Sequence, residues 1–246
     1  GLNLTFEARE GILKHCSQAN AQKLEAQEPG GVAARFLQGG QPSLEAQLCN
    51  LADAIAYNAH DVDDGLRSGY LTWEQLLTVP LVARYHAQAL AQHPQLAQAE
   101  YQRRLLYEAI RRMLSDQVYD VIDATRQALA QANPQQVDDV RAAPALVCFS
   151  AAMREQSQGL KRFLFRNLYR HPQVMATTAR AQQVVRELFA AYLAQPAQMK
   201  PAFAARAQAS DGDSARARVV ADFIAGMTDR YAASEHARIT GQQLLM

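Results

Sequence analysis

Residues 52–69, ADAIAYNAHDVDDGLRSG, decide how the rest of the chain is read. Within them Asp53, Tyr57, His60, Asp61 and Asp64 follow one another at spacings of four, three, one and three. An α-helix turns about 100° per residue, so these five side chains share one stripe. Ala52, Ile55, Ala56, Ala59 and Val62 are left to face the interior. The stripe carries carboxylates toward the helix C-terminus, where the dipole is negative and each costs ~0.3–1 kcal/mol. A compensating cation is therefore expected beside it, either a metal ion or arginines.

Working outward, Ser43 is placed to cap this helix, which runs to about Leu66 with Gly69 as the residue past its end. Upstream, Thr5 caps a helix over Phe6–Ala19 whose apolar side is Phe6, Ile12, Leu13 and Cys16. Residues 27–42 hold Pro29, Gly30, Gly31, Gly39, Gly40 and Pro42 and read as a loop. Downstream, Thr72-Trp73-Glu74-Gln75 reads as a capping box opening a short helix that Pro80 closes or bends. A helix then runs to His93, before Pro94.

The longest uninterrupted helical pattern is Leu96–Ala132, with Leu105, Leu106, Ile110, Met113, Leu114, Val118, Val121 and Ile122 on one face. Its polar side includes Arg103, Arg104, Arg111 and Arg112. After Asn133-Pro134 a short polar link leads to the apolar run 145–152 and a helix over Met153–Arg170. His171-Pro172 breaks it, and another helix extends to about Ala194. Pro196 and Pro201 mark a loop; Ser214 is placed to cap a last long helix through Tyr231, with a looser tail. Strand signals are nearly absent and no fixed-period repeat is present, so the chain reads as all-α with roughly eight to ten helices. No linker is long enough to divide residues 1–246, which are taken as one unit.

Composition bounds the function. Hydrophobic residues make up 49% of 246, enough for a substantial core. A net charge of +1 argues against a surface that coats nucleic acid or membrane, and gives single-stranded DNA binding little support. Lysine occurs only at positions 14, 23, 161 and 200, so arginine supplies nearly all the cations. Arginine suits phosphate and interface chemistry, although abundant alanine and glutamine point to compositional bias as the larger cause. Cys16, Cys49 and Cys148 are odd in number and far apart, which gives neither a disulfide framework nor a zinc spacing. Buried thiols in a reducing, cytoplasmic setting are the expectation. No apolar run reaches the ~18 residues of a membrane span, and GLNLTFEAREG lacks the pattern of a signal peptide.

The sequence contains no glycine-rich phosphate loop, no GxSxG elbow and no HExxH helix. Two stretches remain, the acidic stripe and Leu160–Gln173, LKRFLFRNLYRHPQ, in which Lys161 and Tyr169 lie eight residues apart on one broad helical face. Taken by its residues, Asp53 is either a metal ligand or a carboxylate paired with an arginine of a neighbouring helix. His60 reads as a solvent-facing or hydrogen-bonded histidine, Lys161 as a snorkelling lysine and Tyr169 as a half-buried tyrosine.

Four segments together carry a resemblance: GLNLTFEAREGILKH at 1–15, PSLEAQLCNLADAIAYNAHDVDDGL at 42–66, LKRFLFRNLYRHPQV at 160–174 and DFIAGMTDRYA at 222–232. They resemble the bacterial dGTPase-like proteins, a branch of the HD-domain deoxynucleoside triphosphate triphosphohydrolases. The resemblance implies an HD-domain-like helical bundle, with residues 1–70 forming the end of the HD core and 71–246 completing the substrate pocket and oligomer contacts. It also implies a divalent metal ion such as Mg or Mn, held by a His, a His-Asp pair and a final Asp. Asp53 matches that last ligand. Tyr57 and Asp61 match residues lining the deoxyribose pocket, Lys161 a cation facing the triphosphate, and Tyr169 a residue at the sugar and base. The implied reaction converts a dNTP and water to deoxynucleoside and triphosphate. The implied partners are the dNTP, further copies of the chain in a homo-oligomer and a nucleotide effector.

The pattern departs from the family in two places. The His and the His-Asp pair belong to a segment that family members carry before GLNLT, which these 246 residues do not include. His60-Asp61 follows the final Asp in different surroundings and does not replace it. Ala54 stands where some relatives have a lysine directed at the phosphates. The expectation is therefore a hydrolase whose present residues are incomplete for catalysis. The alternative is a non-catalytic nucleotide-binding or assembly module, for which the arginine pairs 103–104 and 111–112 could supply an interface or effector site.

Overall fold

The computed structural model describes residues 2–13 and 16–244, and every regular element among them is helical. Two compact units result, Gly1–Leu168 and Tyr169–Met246. Their boundary falls within a helical run, where neither composition nor a linker marks it.

The first unit is arranged around α4, Leu44–Arg67. Ser43 caps it, its Oγ accepting from Ala46 N at 3.3 Å, and Gly69 follows the end at φ +73°, a backbone state glycine adopts without a Cβ penalty. Before α4 come α1 (Phe6–Leu13), α2 (Gln18–Gln27) and α3 (Val32–Leu37). The single helix expected over 6–19 is therefore two, with Ser17 accepting from Asn20 N to start the second; positions 14 and 15 lie outside the described residues. The expected loop over 27–42 also contains a helix. Val32 and Ala33 of α3 are buried, and tertiary packing there outweighs the flanking glycines.

After α4, Thr72 and Gln75 close the capping box of the short α5 (Trp73–Leu76), and Pro80 starts α6 (Pro80–Gln92) at its first turn. Two 3₁₀ turns, Pro94–Ala97 and Ala99–Tyr101, precede α7 (Gln102–Ala132), which is shorter at its start than expected. Asn133 ends it in the left-handed conformation at φ 42°. A short α8 (Val137–Ala142) occupies the expected polar link.

Residues 145–150 are non-helical because side chains take their backbone donors. Gln47 Oε1 accepts from Leu146 N and Val147 N at 2.9 and 3.1 Å, and Asp120 accepts from Ser150 N and Oγ. Helix α9 (Ala151–Leu164) then opens under the Ser150 cap, and ends sooner than expected in a π turn, Phe165–Tyr169. Ile55, Ala59 and Val62 of α4 meet Val82 and Tyr85 of α6, Leu106, Ala109 and Met113 of α7, and Leu160 and Leu164 of α9 in one core. Ala52 and Ala56, assigned to the interior by periodicity, are exposed; the buried arc keeps Ile55, Ala59 and Val62 and is rotated about a quarter turn to take in Asn58.

The second unit holds α10 (Pro172–Ala194), α11 (Pro201–Gln208), α12 (Asp213–Ala225) and α13 (Asp229–Thr240). Val184, Leu188, Tyr192, Val220 and Phe223 form its core, with the Tyr192 and Phe223 rings edge-on at 5.3 Å. The last helix expected through Tyr231 is broken at Gly226–Thr228. Thr228 caps α13, and Gly212 rather than Ser214 precedes α12. Among the described residues there are thirteen α-helices, and none is long and apolar enough to cross a membrane.

Candidate functional site

Burial of Ile55, Ala59 and Val62 fixes the rotation of α4, and that rotation turns the acidic stripe outward. Asp53, His60 and Asp64 are exposed, Tyr57 retains 60% of its surface, and Asp61 is half-buried at the stripe's edge. The five residues thus share one face of one rigid helix. Among the described residues Asp53, His60 and Asp64 have no ion-pair partner. Asp63, beside the stripe, meets Arg67 at 3.4 Å one turn on. Among the described residues Asp53 is not locked onto an arginine.

One flank of the stripe abuts α9. Asn58, buried in the α4–α9 seam, donates Nδ2 to Ser157 Oγ at 3.4 Å. Lys161 lies one turn beyond Ser157 on α9; it is exposed and has no ion pair among the described residues. Packing within the first unit therefore sets a lysine-bearing helix directly against the acid-bearing one. Tyr169 ends the π turn and is the first residue of the second unit, where it is 42% exposed.

Asn58 and Ser157 escaped the reading of the sequence as site residues. The available signal was a pair of polar side chains at helical positions otherwise filled by Ile55, Val62, Met153 and Leu160. A buried amide at such a position needs a partner, and here the partner is the neighbouring helix.

Metal binding sets a stricter test. A divalent cation needs several ligands converging on one point. Among the described residues no group of three or more His, Cys, Asp or Glu side chains could hold one. Asp53 offers a single unencumbered carboxylate, so the described residues do not by themselves fit a metal site.

Residues 147–238 match a phosphohydrolase-associated domain. Over 245 residues the chain is 51% identical to a deoxyguanosinetriphosphate triphosphohydrolase-like protein of Ralstonia nicotianae, a match covering 100% of this chain and 60% of the relative. Proteins of the same description from Bordetella pertussis and Azoarcus sp. are 51% and 47% identical over 239 residues, each covering 97% of this chain and 59% of the relative. About half of all positions agree along essentially the whole sequence, so the chain is homologous throughout to the deoxyguanosinetriphosphate triphosphohydrolase-like proteins, of whose length it spans some 60%.

Proposed function

We propose that the protein takes part in hydrolysing deoxynucleoside triphosphates to deoxynucleoside and triphosphate, and that this chain supplies substrate contacts and one metal ligand. The observation carrying the proposal is Asp53, exposed and unpaired among the described residues, on the outward face of a helix in a chain half identical to proteins of that description. In this reading Asp53 contributes a carboxylate to a divalent cation whose other ligands lie outside the described residues. Tyr57, one turn on, packs its ring against the deoxyribose. Asp61, two turns on, accepts the 3′-hydroxyl proton in a hydrogen bond, and together they leave little room for a 2′-hydroxyl. Lys161 directs its charge at the phosphates. Tyr169 is carried over as a sugar and base contact on the resemblance alone.

The test uses the protein at the full length its gene encodes, incubated with each dNTP and a divalent cation and assayed for inorganic triphosphate. Release of triphosphate supports the reading, and no product with any dNTP defeats it. The other reading is a nucleotide-binding or assembly module without catalysis, consistent with the finding that among the described residues no three His, Cys, Asp or Glu side chains converge. That reading predicts dNTP binding by calorimetry with no turnover.

A further inference from the structure

Buried polar side chains are few in this molecule and unevenly placed. Six are found among the described residues, and three of them, Gln47, Asn58 and Ser157, lie where α4 meets α9 and the segment leading into it. At one end of this seam Gln47 donates Nε2 to Pro42 O at 2.9 Å, while its Oε1 accepts from Leu146 N and Val147 N just before α9. At the other end Asn58 Nδ2 donates to Ser157 Oγ at 3.4 Å. Gln47 and Asn58 stand three turns apart on α4, about 16.5 Å at 1.5 Å per residue, and their partners follow in the same order along the chain. The two helices therefore run in the same sense and are tied at two points.

The rest of the seam is apolar. Ile55, Ala59 and Val62 of α4 share one core with Met153, Leu160 and Leu164 of α9. Such packing rewards burial but distinguishes poorly between neighbouring registers, and cores lose uniqueness before they lose stability. A hydrogen bond is directional. A slide of one residue rise, about 1.5 Å, would part Asn58 from Ser157 and leave both buried without a partner.

Register matters because of what the two helices carry. Asp53 lies on α4 between Gln47 and Asn58, Tyr57 adjoins Asn58, and Lys161 stands one turn beyond Ser157. We propose that Asn58 and Ser157 are positioning residues: their hydrogen bond sets the axial level of Lys161 against Asp53 and Tyr57, so that a phosphate chain meets both helices at a fixed separation. The proposal rests on the reading of Asp53 and Lys161 as metal and phosphate contacts. Both members of the pair are buried and act through those residues, and Gln47 anchors the far end of the seam.

Variants of the full-length protein test it, each followed by triphosphate release from its best dNTP and by the Trp73 melting transition. Asn58→Leu alone strands the Ser157 hydroxyl and is expected to lower the midpoint by about 3 °C. Asn58→Leu with Ser157→Ala removes both partners, so the midpoint should return to within about 2 °C of the parent. Its kcat is nevertheless expected to stay about tenfold or more below the parent, with KM changed less than about threefold, since small misplacements cost rate. Exchanging the pair, Asn58→Ser with Ser157→Asn, again sets a donor against an acceptor and should recover most of the rate. Parental turnover in the double apolar variant overturns the proposal. So does a loss of rate that only tracks a loss of melting temperature, which would make the pair structural. If the parent releases no triphosphate from any dNTP, the functional reading fails by itself and register is read directly. With the native cysteines replaced, spin labels at the exposed positions Ala56 and Gln158 should then show a shifted or broadened distance distribution in the double apolar variant. An unchanged distribution overturns the proposal.

Discussion

Glu10 is fully buried, and replacing it tests how the start of α4 is held in place. Its carboxylate pairs with Arg35 of α3, lies 3.5 Å from Arg141 Nε of α8, and accepts from Ser43 N at 3.3 Å. Ser43 is the cap of the helix bearing Asp53, so this one side chain joins four elements. Truncating one partner of a buried ion pair costs ~3–5 kcal/mol because it strands the other charge. Here Arg35 and Arg141 keep 26% and 14% of their side-chain surface, and water can partly recover them. Glu10→Ala is therefore expected to cost about 3 kcal/mol, within the lower part of that range. For a unit of this size that corresponds to a fall of about 6–12 °C in Tm. Glu10→Gln keeps the stem and an acceptor for Ser43 and should cost about half as much. The chain has one tryptophan, Trp73, which packs against the first unit's core, so its fluorescence reports that unit while far-UV circular dichroism reads both. A Trp73 transition that moves by less than ~2 °C in Glu10→Ala would refute the reasoning and reduce the network to the worth of a surface pair.

Other perturbations have equally direct readouts. Hydrogen bonds from Arg111, and then from Arg112, hold the Glu108 carboxyl at about 2 against an ordinary 4.5, with burial opposing them. A depressed carboxylate stabilises the fold fully above its unfolded value, and that stability is lost as pH falls from about 4.5 toward 2. Arg111 is 64% exposed, so screening reduces the effect to about 1 kcal/mol; Glu108→Gln should flatten that limb of the Trp73 stability curve. At Gly65 an added Cβ would collide with Leu71 Cδ1 and lie 2.8 Å from its Cγ, and Leu71 is buried. Gly65→Ala should therefore destabilise by about 1–3 kcal/mol despite alanine's better helix propensity, as chemical denaturation would show. Asp53→Ala should abolish triphosphate release from the full-length protein and leave the Trp73 melting midpoint within about 2 °C, since surface changes shift stability little. A retained rate would remove Asp53 from the proposed metal ligands.

Much of the helical order is local and can be read from neighbouring residues. Ser43, Gly69 and the spacing between them define α4; Thr72 with Gln75 defines α5; His171-Pro172 starts α10. The break between α12 and α13 also had a local signal, Gly226 followed by the capping pair Thr228-Asp229, which apolar periodicity across it obscured. Helix α3 had no such signal. It exists because Val32 and Ala33 find a core and Arg35 finds Glu10, contacts made across long sequence separation. The stripe on α4 shows the same division. Spacing placed Asp53, Tyr57 and Asp61 on one face, yet their exposure, and the approach of α9 through Asn58 and Ser157, depend on packing. The α7 arginines stand out in sequence, but the cleft they line is completed by His93 and Gln95 from the turn before it.

The π turn at Phe165–Tyr169 has a bearing on how relatives are aligned. A widened turn holds a surplus residue, and Asn167 Nδ2 donates to Phe163 O at 2.9 Å, serving a carbonyl that a regular helix would pair with a backbone amide. Such a stretch can lose one residue and close into ordinary α-helix without unravelling. Homologues with a single-residue deletion between Lys161 and Pro172 should therefore fold, and an alignment that puts the gap elsewhere in this run will match the wrong aromatic residue to Tyr169.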